Sequence, residues 1–478
     1  MAQAPRDLVP TRSVWHFFGA ELRHWRVLRG LSQDQLGRLT HDSGSAIGKV
    51  EKAVRRPSLR LARECDQALN TGGVLQRLWP LVEKELGGGW DPDGRVDPEL
   101  ADAESASGDV GLHWAADLPA TVETVGGLWR ADVERRAVVV GAGWVAAAFA
   151  APTRDWLLNW ADADPSRTAG RRVGQAEVDV LWSMCGTFAD LDHRLGGGHA
   201  RSTLAHYVSH AVLPMLEGSY RQRIGRSLMA AAARLCNLGA FMAFDCELHG
   251  LAQRYYIQAL RLAQASADRA LGAHILADMS MQAHYLRDAR EALALAVAGQ
   301  RTAKDYGSSA TLARCCTMEA RAHALLGDAA ACAGAMSRAE RALGAACDDE
   351  PSWIRFFTAE QLAAEFMYAA SELGRPADVQ QFAPAVLGAS EGMQRRLVLA
   401  TVTLAASHLG DGRDARSASD VDQACTVLQQ AVPVAAGLSS PRALHALNTV
   451  RIRLTPHAAR TSVRALQEHM EAVVSASS

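Results

Sequence analysis

Small residues recur every 40 positions through the second half of the chain, and this rhythm restricts the fold more than any other feature. Ala240, Ser280 and Ala320 stand one period apart, as do Ala252, Ala292 and Cys332, and Ala259, Gly299 and Ala339. Within each copy the spacings are twelve and seven residues. Two antiparallel helices approach closely only where side chains are small, so a fixed set of small positions marks a repeated helical hairpin. Larger neighbours such as Tyr256 and Met336 fill the gaps between them. Two looser copies follow, around 364–389 and 397–436, with turns at Gly374-Arg375-Pro376 and Leu409-Gly410-Asp411-Gly412. A last segment, 455–474, is placed to cap the stack. Abundant alanine and only 6% aromatic residues favour helix throughout, so the expected fold class is all-α. At 478 residues the chain exceeds what one compact core holds, which agrees with a repeat array plus at least one further domain.

That further domain lies at the front. Residues 13–72 hold ten basic and six acidic side chains, a net of about +4, within a chain whose total is −2. A small basic head on an acidic body implies that the head alone meets a polyanion. Leu22, Trp25, Leu28 and Leu31 mark one apolar helix face that Gly30 ends. Ser32 is an N-cap with Gln35 as its capping-box partner, and a short helix follows with Leu36 and Leu39 inward. After Thr40-His41-Asp42, Ser43 caps a third helix that buries Ile47 and Val50, and Pro57 stops it. Ser58 caps a fourth helix through Leu69. Two short helices about a tight turn in basic surroundings predict a helix-turn-helix.

Residues 13–72 resemble the XRE (lambda-repressor-like) DNA-binding family. The likeness is carried by Leu22, Arg26, Gly30-Leu31-Ser32-Gln33, Leu36, Ser43, Ile47, Val50-Glu51 and Arg56-Pro57-Ser58. It implies that the helix opened by Ser43 is the recognition helix, with Gly44, Ser45 and Lys49 toward the major groove. It further implies that Gln33 touches a phosphate at a helix N-terminus, that Arg55 and Arg56 lie near the DNA backbone, and that Arg26 and Glu51 form a structural ion pair. The family usually presents longer polar side chains where this chain has Gly44 and Ser45. Neither supplies a bidentate base contact, so direct readout falls on Lys49 or on DNA shape. Gly37 and Gly48 are expected to loosen their helices by roughly 1 kcal/mol each.

The remaining zones are an N-terminal tail (1–12), a helix and acidic Gly/Pro/Asp-rich linker (73–120), a helical docking region (121–175), the repeats (176–470) and a C-terminal tail (471–478). In the linker, Trp90 and Trp114 are candidates to dock on the body. In the docking region, Leu128-Trp129-Arg130-Ala131-Asp132-Val133-Glu134-Arg135-Arg136 reads as an amphipathic docking helix. The spacings of the repeats are similar to those of tetratricopeptide (TPR) repeats, elongated beyond the usual period, which implies an α-solenoid with a concave partner-binding face. The body also resembles that of large actinomycete-type regulators. Carrying this are Leu118-Pro119, Glu134-Arg135-Arg136, Gly196-Gly197-Gly198-His199-Ala200-Arg201 and the stretch from His249-Gly250 to Ala259-Leu260. The likeness implies control of development or secondary metabolism. In layout the chain is similar to Gram-positive peptide-pheromone receptors, which join an XRE head to a TPR body.

Several alternatives lack support in the residues. The longest apolar run, 137–151, is too short to span a bilayer, and no signal peptide is recognisable at the start. Nine cysteines without a C-x-x-C pair predict free thiols in a reducing cytoplasm. Gly141-Ala142-Gly143-Trp144-Val145-Ala146 imitates a dinucleotide turn, but the required second strand is missing from the pattern, so no cofactor is expected. His206 and His210, with His199 nearby, lack the glutamate of a metalloprotease helix, so no metal is expected. Asp190, Asp192, His193 and Arg194 are expected to be a loop that caps helices, and Asp348-Asp349-Glu350 a solvated helix start. No catalytic residues are assigned. The expected function is a non-enzymatic, nucleoid-associated transcriptional regulator binding double-stranded DNA as a homodimer. Its body would dimerise or hold a peptide, protein or small-molecule effector near Arg254, Tyr255, Gln282, Tyr285 and Arg321. The rival is an interaction scaffold whose head is vestigial or binds protein.

Overall fold

A computed structural model describes residues 14–69, 71, 75–76, 78–79, 82, 111–134, 143–158, 164–305, 308–410 and 418–476. Among these residues there is no β-strand, only two isolated bridges, Arg167 to Tyr220 and Arg172 to Ser219. The fold is all-α. It divides into two compact units, 1–103 and 104–478. Residues 83–110 of the acidic linker and the first part of the glycine-rich turn, 138–142, fall outside the described residues.

The first unit contains α1 (Val14–Leu28), α2 (Gln33–Leu39), α3 (Gly44–Glu51) and α4 (Leu59–Leu69). Gly30 lies at φ 67° and closes α1 as the C-cap reading requires, with the Leu31 N–H bonded back to the Arg26 carbonyl at 3.1 Å. Ser32 and Gln35 form the expected capping box, and Ser43 and Ser58 each accept an N–H from the first turn of their helices. Phe18, Leu22, Leu36, Ile47, Val50 and Leu69 form the core, with Leu75 and Val82 added from beyond residue 72. The packed core of the head thus takes in residues beyond 72. Buried Asp66 accepts the Leu75 and Gln76 N–H groups, so the segment after α4 is held to the head.

In the second unit, the chain docks first and stacks afterwards. α5 (Leu118–Val133) and α6 (Ala150–Leu158) lie against the later helices. α7 (Gln175–Leu195), α8 (Gly197–Tyr207, continued by a π turn Val208–Val212) and α9 (Leu213–Leu216) follow. Six helical hairpins then run to the end. They are α10 (Gln222–Asp245) with α11 (His249–Ser266), α12 (Arg269–Tyr285) with α13 (Ala289–Asp305), and α14 (Ser309–Leu325) with α15 (Ala329–Gly344). The last three are α16 (Ala359–Glu372) with α17 (Pro376–Gly388), α18 (Gln394–Leu409) with α19 (Ala418–Ala436), and α20 (Pro441–Leu454) with α21 (Thr461–Ala476). The first three hairpins carry the 40-residue rhythm, and all nine small positions are buried. At one of them, the Ser280 hydroxyl donates directly to the Ala292 carbonyl at 2.7 Å.

Helix α10 is long and apolar enough to cross a membrane by length and composition alone. However, 89% of its apolar window is buried inside the fold, where it is the central core helix.

The hairpin stack does not stay open. α7 packs against α18, and α10 touches α20, so the last hairpins return to the first. The seam is polar and glycine-lined. Gly198 donates to the Ser439 carbonyl and Ser439 to that of Leu195, both at 2.8 Å. A Cβ on Gly196, whose φ is 85°, would meet the Ser439 oxygen at 2.7 Å, and one on Gly197 would meet the Met242 oxygen at 2.7 Å. Buried Asp245 accepts from Gly197 N–H, Arg395 and Arg442, and Asp192 pairs with Arg395 at 2.7 Å. The open concave face expected from the repeats is thus corrected to a closed interior.

Candidate functional site

The head places α2 and α3 about a four-residue turn, Thr40 to Ser43. Gly37 permits this closeness. A Cβ there would lie 2.7 Å from the Asp42 oxygen, 2.8 Å from the Gly44 nitrogen and 2.9 Å from the Ser43 carbonyl carbon. A Cβ on Gly19 would likewise meet the carbonyls of Val50 and Glu51 at 2.8 Å, so α1 seats on the end of α3. The sequence reading counted Gly37 only as a local weakness; its packing role is the physical reason for it.

Arg26 and Glu51 are paired, with Nε to Oε1 at 2.5 Å and Nη2 to Oε2 at 3.1 Å. Arg26 also donates to the Leu31 carbonyl, and Arg23 approaches the carboxylate at 3.9 Å. Glu51 is fully buried, so each of its oxygens has to be satisfied by such donors. Gln33 joins the same knot, donating Nε2 to Glu51 Oε2 at 2.7 Å. The Gln33 amide thus ties α2 to α3.

Ser45 and Lys49 are exposed on α3, whereas Ser43 is occupied as the N-cap. Gly44 is half-buried under Asp34, and a Cβ there would fall 1.8 Å from Asp34 Oδ1 and 2.9 Å from its Cα. Asp34, which the sequence reading passed over, thus covers the position where relatives of the resembled family carry a long polar side chain. Arg55 and Arg56 are exposed after α3, joined by Lys52, Arg60 and Arg63. Asp42 lies 3.8 Å from Arg55 and 3.0 Å from Arg60, and Arg60 also pairs with Glu64 at 2.8 Å. The exposed side of α3 is consequently cationic, with one carboxylate beside the turn holding two arginines in place.

Residues 18–79 match a family model described as a helix-turn-helix domain. The head is a helix-turn-helix domain. Its core agrees with the extent of that match, since Leu75, Leu78 and Trp79 pack with α1 to α4. No curated protein and no solved structure matches the chain.

The body residues proposed for a groove separate into two groups. Arg321 lines the closed interior, 2.9 Å from Glu365 and over the Tyr368 ring. The other four are corrected. Tyr255 is fully buried, stacked on Trp129 at 4.2 Å and donating to Asp132 Oδ2 at 2.8 Å. Arg254 is buried and donates to the Gly250 carbonyl, and Gln282 is buried and donates to the His249 carbonyl. Tyr285 donates to Glu247 at 2.8 Å beside Phe244 and His249. Polar groups near repeat cores are attractive from sequence, but here they serve to fasten elements together.

Other expectations meet mixed outcomes. Trp114 does dock, under Arg261, and the carbonyls of Gly111, His113 and Ala115 accept from Gln258 and Arg261; Trp90 lies outside the described residues. Asp192 and His193 belong to the last turn of α7 and face the interior, rather than forming a capping loop. Glu350 is buried and caps α14 by accepting from Ser308 and the Ala310 N–H, so it is not a solvated helix start. His206 and His210 adjoin each other, rings 4.7 Å apart and exposed. Among the described residues, no group of three or more metal-ligating side chains converges. Gly143-Trp144-Val145 enters no strand, because Gln253 brackets the Val145 N–H and carbonyl.

Proposed function

We propose that this protein is a transcriptional regulator of XRE type, whose head binds duplex DNA through α3 and whose body senses an effector and dimerises. The observation that carries this reading is the exposure of Ser45 and Lys49 on the second helix of a helix-turn-helix, flanked by Lys52, Arg55 and Arg56. Lys49 supplies the base contact and the arginines supply phosphate contacts. One small head binds weakly, so two heads on a homodimer would share an operator. The reading assigns no catalysis, places the protein at the nucleoid, and takes control of development or secondary metabolism as its setting.

Gel-shift titration at two salt concentrations tests it. Specific retention that weakens steeply with salt is expected. Lys49→Ala should reduce affinity and relax base preference, whereas Arg56→Ala should reduce affinity uniformly and flatten the salt slope by about one. A wild-type protein that retards no promoter fragment at low salt would refute the regulator reading.

The scaffold reading has one specific observation in its favour. Gly44 and Ser45 offer short side chains, and Asp34 puts a carboxylate beside them. Phosphate-rich surfaces repel such a group. The same titration with Asp34→Asn decides between the two: tighter DNA binding supports the regulator, and continued absence of any complex supports the scaffold.

A further inference from the structure

The closed interior of the second unit holds a cavity of about 120 Å³. Six arginines line it: Arg234, Arg314, Arg321, Arg395, Arg396 and Arg442. They arrive from α10, α14, α18 and α20, so the first and last hairpins both contribute. Three carboxylates share the lining, Asp192, Asp278 and Glu365, and Asp245 stands behind them on Arg395 and Arg442. Six guanidinium groups against four carboxylates leave an excess of two positive charges. The histidines do not alter that sum. Burial, then the charges of Arg314 and Arg234, hold His274 well below the usual imidazole range, and burial brings His193 down to about 4.

The excess is localised. Asp192 and Asp245 pair with Arg395, Asp245 with Arg442, Glu365 with Arg321, and Asp278 with Arg314. Arg396 bonds only to neutral oxygens, of Gln361, Ser390 and Ala389. Arg234 is 94% buried, and its guanidinium meets His274 Nε2 at 3.2 Å, while Asp278 and Asp192 act on it only from beyond ion-pair distance. A buried cation whose counter-ions stand off is costly, and Arg234 lines the cavity. Polar hydrogens are also unspent: Arg314 Nε, Arg321 Nε and His274 Nδ1 are buried without a hydrogen-bond partner. The planes of Arg395, Arg314 and Arg321 are held over Phe241, Phe356 and Tyr368 at 4.8, 5.0 and 5.4 Å. Such stacking fixes a guanidinium before any ligand arrives.

We propose that this cavity binds a compact organic phosphate. A phosphate monoester carries about −1.5 to −2 charge and three acceptor oxygens, which match the charge excess and the unspent donors. A single water needs roughly 10–15 Å³ on the same measure, so the space takes a phosphate group together with a small organic body. The apolar rims of Phe241, Phe356 and Leu399 favour a ligand with some carbon over a bare ion. Because its arginines come from both ends of the hairpin series, the bound phosphate would hold the ring shut. The site names the class of effector for the sensing body, and in that regulatory sense it rests on the reading above.

The test uses the full-length protein, with inorganic phosphate and glycerol phosphate as probes and chloride at matched ionic strength as control. Calorimetric titration and thermal unfolding are read together. Binding, and a Tm that climbs with the logarithm of phosphate concentration, are expected, with glycerol phosphate the stronger. Arg234→Met should raise Tm without phosphate, because it removes an unneutralised buried charge, and should weaken phosphate binding at least tenfold. Arg396→Gln, which breaks no ion pair, should weaken it similarly, with a small fall in Tm from the lost bonds to Gln361, Ser390 and Ala389 that phosphate does not restore. A wild-type protein that responds to phosphate no more than to chloride overturns the proposal, as does Arg234→Met binding phosphate undiminished. Gel shifts on the same samples keep the two readings apart. Phosphate binding without DNA binding would leave the site standing and the regulator fallen, and DNA binding with indifference to phosphate would do the reverse.

Discussion

At the scale of single residues, the head turns on Glu51. It is one carboxylate, fully buried, receiving Arg26 twice and Gln33 once. The pairing of Arg26 with Glu51 was legible, because the resembled family carries those two residues at those positions. The part played by Gln33 was not, since a glutamine at a helix start satisfies a phosphate and a neighbouring carboxylate equally well on paper. Removing one member of a buried pair strands the other's charge, at a cost of about 3–5 kcal/mol. Glu51→Ala is therefore expected to unfold the head while the body persists, seen as loss of DNA retardation together with a new low-temperature transition in calorimetry. Glu51→Gln keeps the shape but loses the charge, and should fall between wild type and alanine. Equal stability of all three would show that the knot contributes nothing.

At the scale of elements, what the sequence disclosed was local. Ser32, Ser43 and Ser58 announced three helix starts, and the small positions from Ala240 to Ala339 announced three hairpins, because both signals live within a few turns of chain. What it withheld were meetings between distant segments. Trp129 and Trp156, on the docking helices, are fully buried in notches made by Gly239 and Gly272. A Cβ on Gly239 would lie 2.4 Å from the Trp129 ring, and one on Gly272 would lie 2.0 Å from that of Trp156. Trp156 is also fixed by its indole N–H to Thr302 at 3.1 Å, so the ring has little freedom to retreat. Gly272→Ala should cost about 1–3 kcal/mol, as overpacked cores do, although alanine is the better helix former. The double variant with Trp156→Leu should then be more stable than the sum of the single changes predicts, a coupling that denaturant titration of the four proteins measures. Strict additivity would mean that the ring and the glycine do not meet.

At the scale of the whole body, the fold depends on pairs that no local pattern reveals. Arg395 reaches Asp192 across 203 residues of chain, and Arg442 reaches Asp245 across 197. The repeats therefore argued for an open stack, whereas closure was written into an aspartate at the end of α7, another at the end of α10, and three glycines after α7. This interior also fixes how the protein answers acid. Burial takes His193 down to about 4 from 6.5, with Asp192 and Asp190 opposing the shift and Arg395 and Arg234 adding to it. Burial, aided by Arg321 and Arg287, takes His284 to about 2. Unfolding restores their ordinary proton affinity, so between pH 6.5 and about 4 the unfolded chain binds more protons than the folded one. Stability is full above that window and falls as pH drops through it. The carboxylates act lower down. Burial alone would raise Asp245, but Arg395 and Arg442 hold it below its ordinary 3.8, so its contribution is lost only under stronger acid. The expected result is a Tm that declines by several degrees between pH 6.5 and 4.5, opposed only at the lower end by Glu291, which burial raises above its ordinary 4.5. His193→Gln should flatten that decline without changing the steeper loss below. A Tm unchanged over this range would show that neither histidine is kept neutral by the interior, and would add the charge of His193 to the cavity's sum.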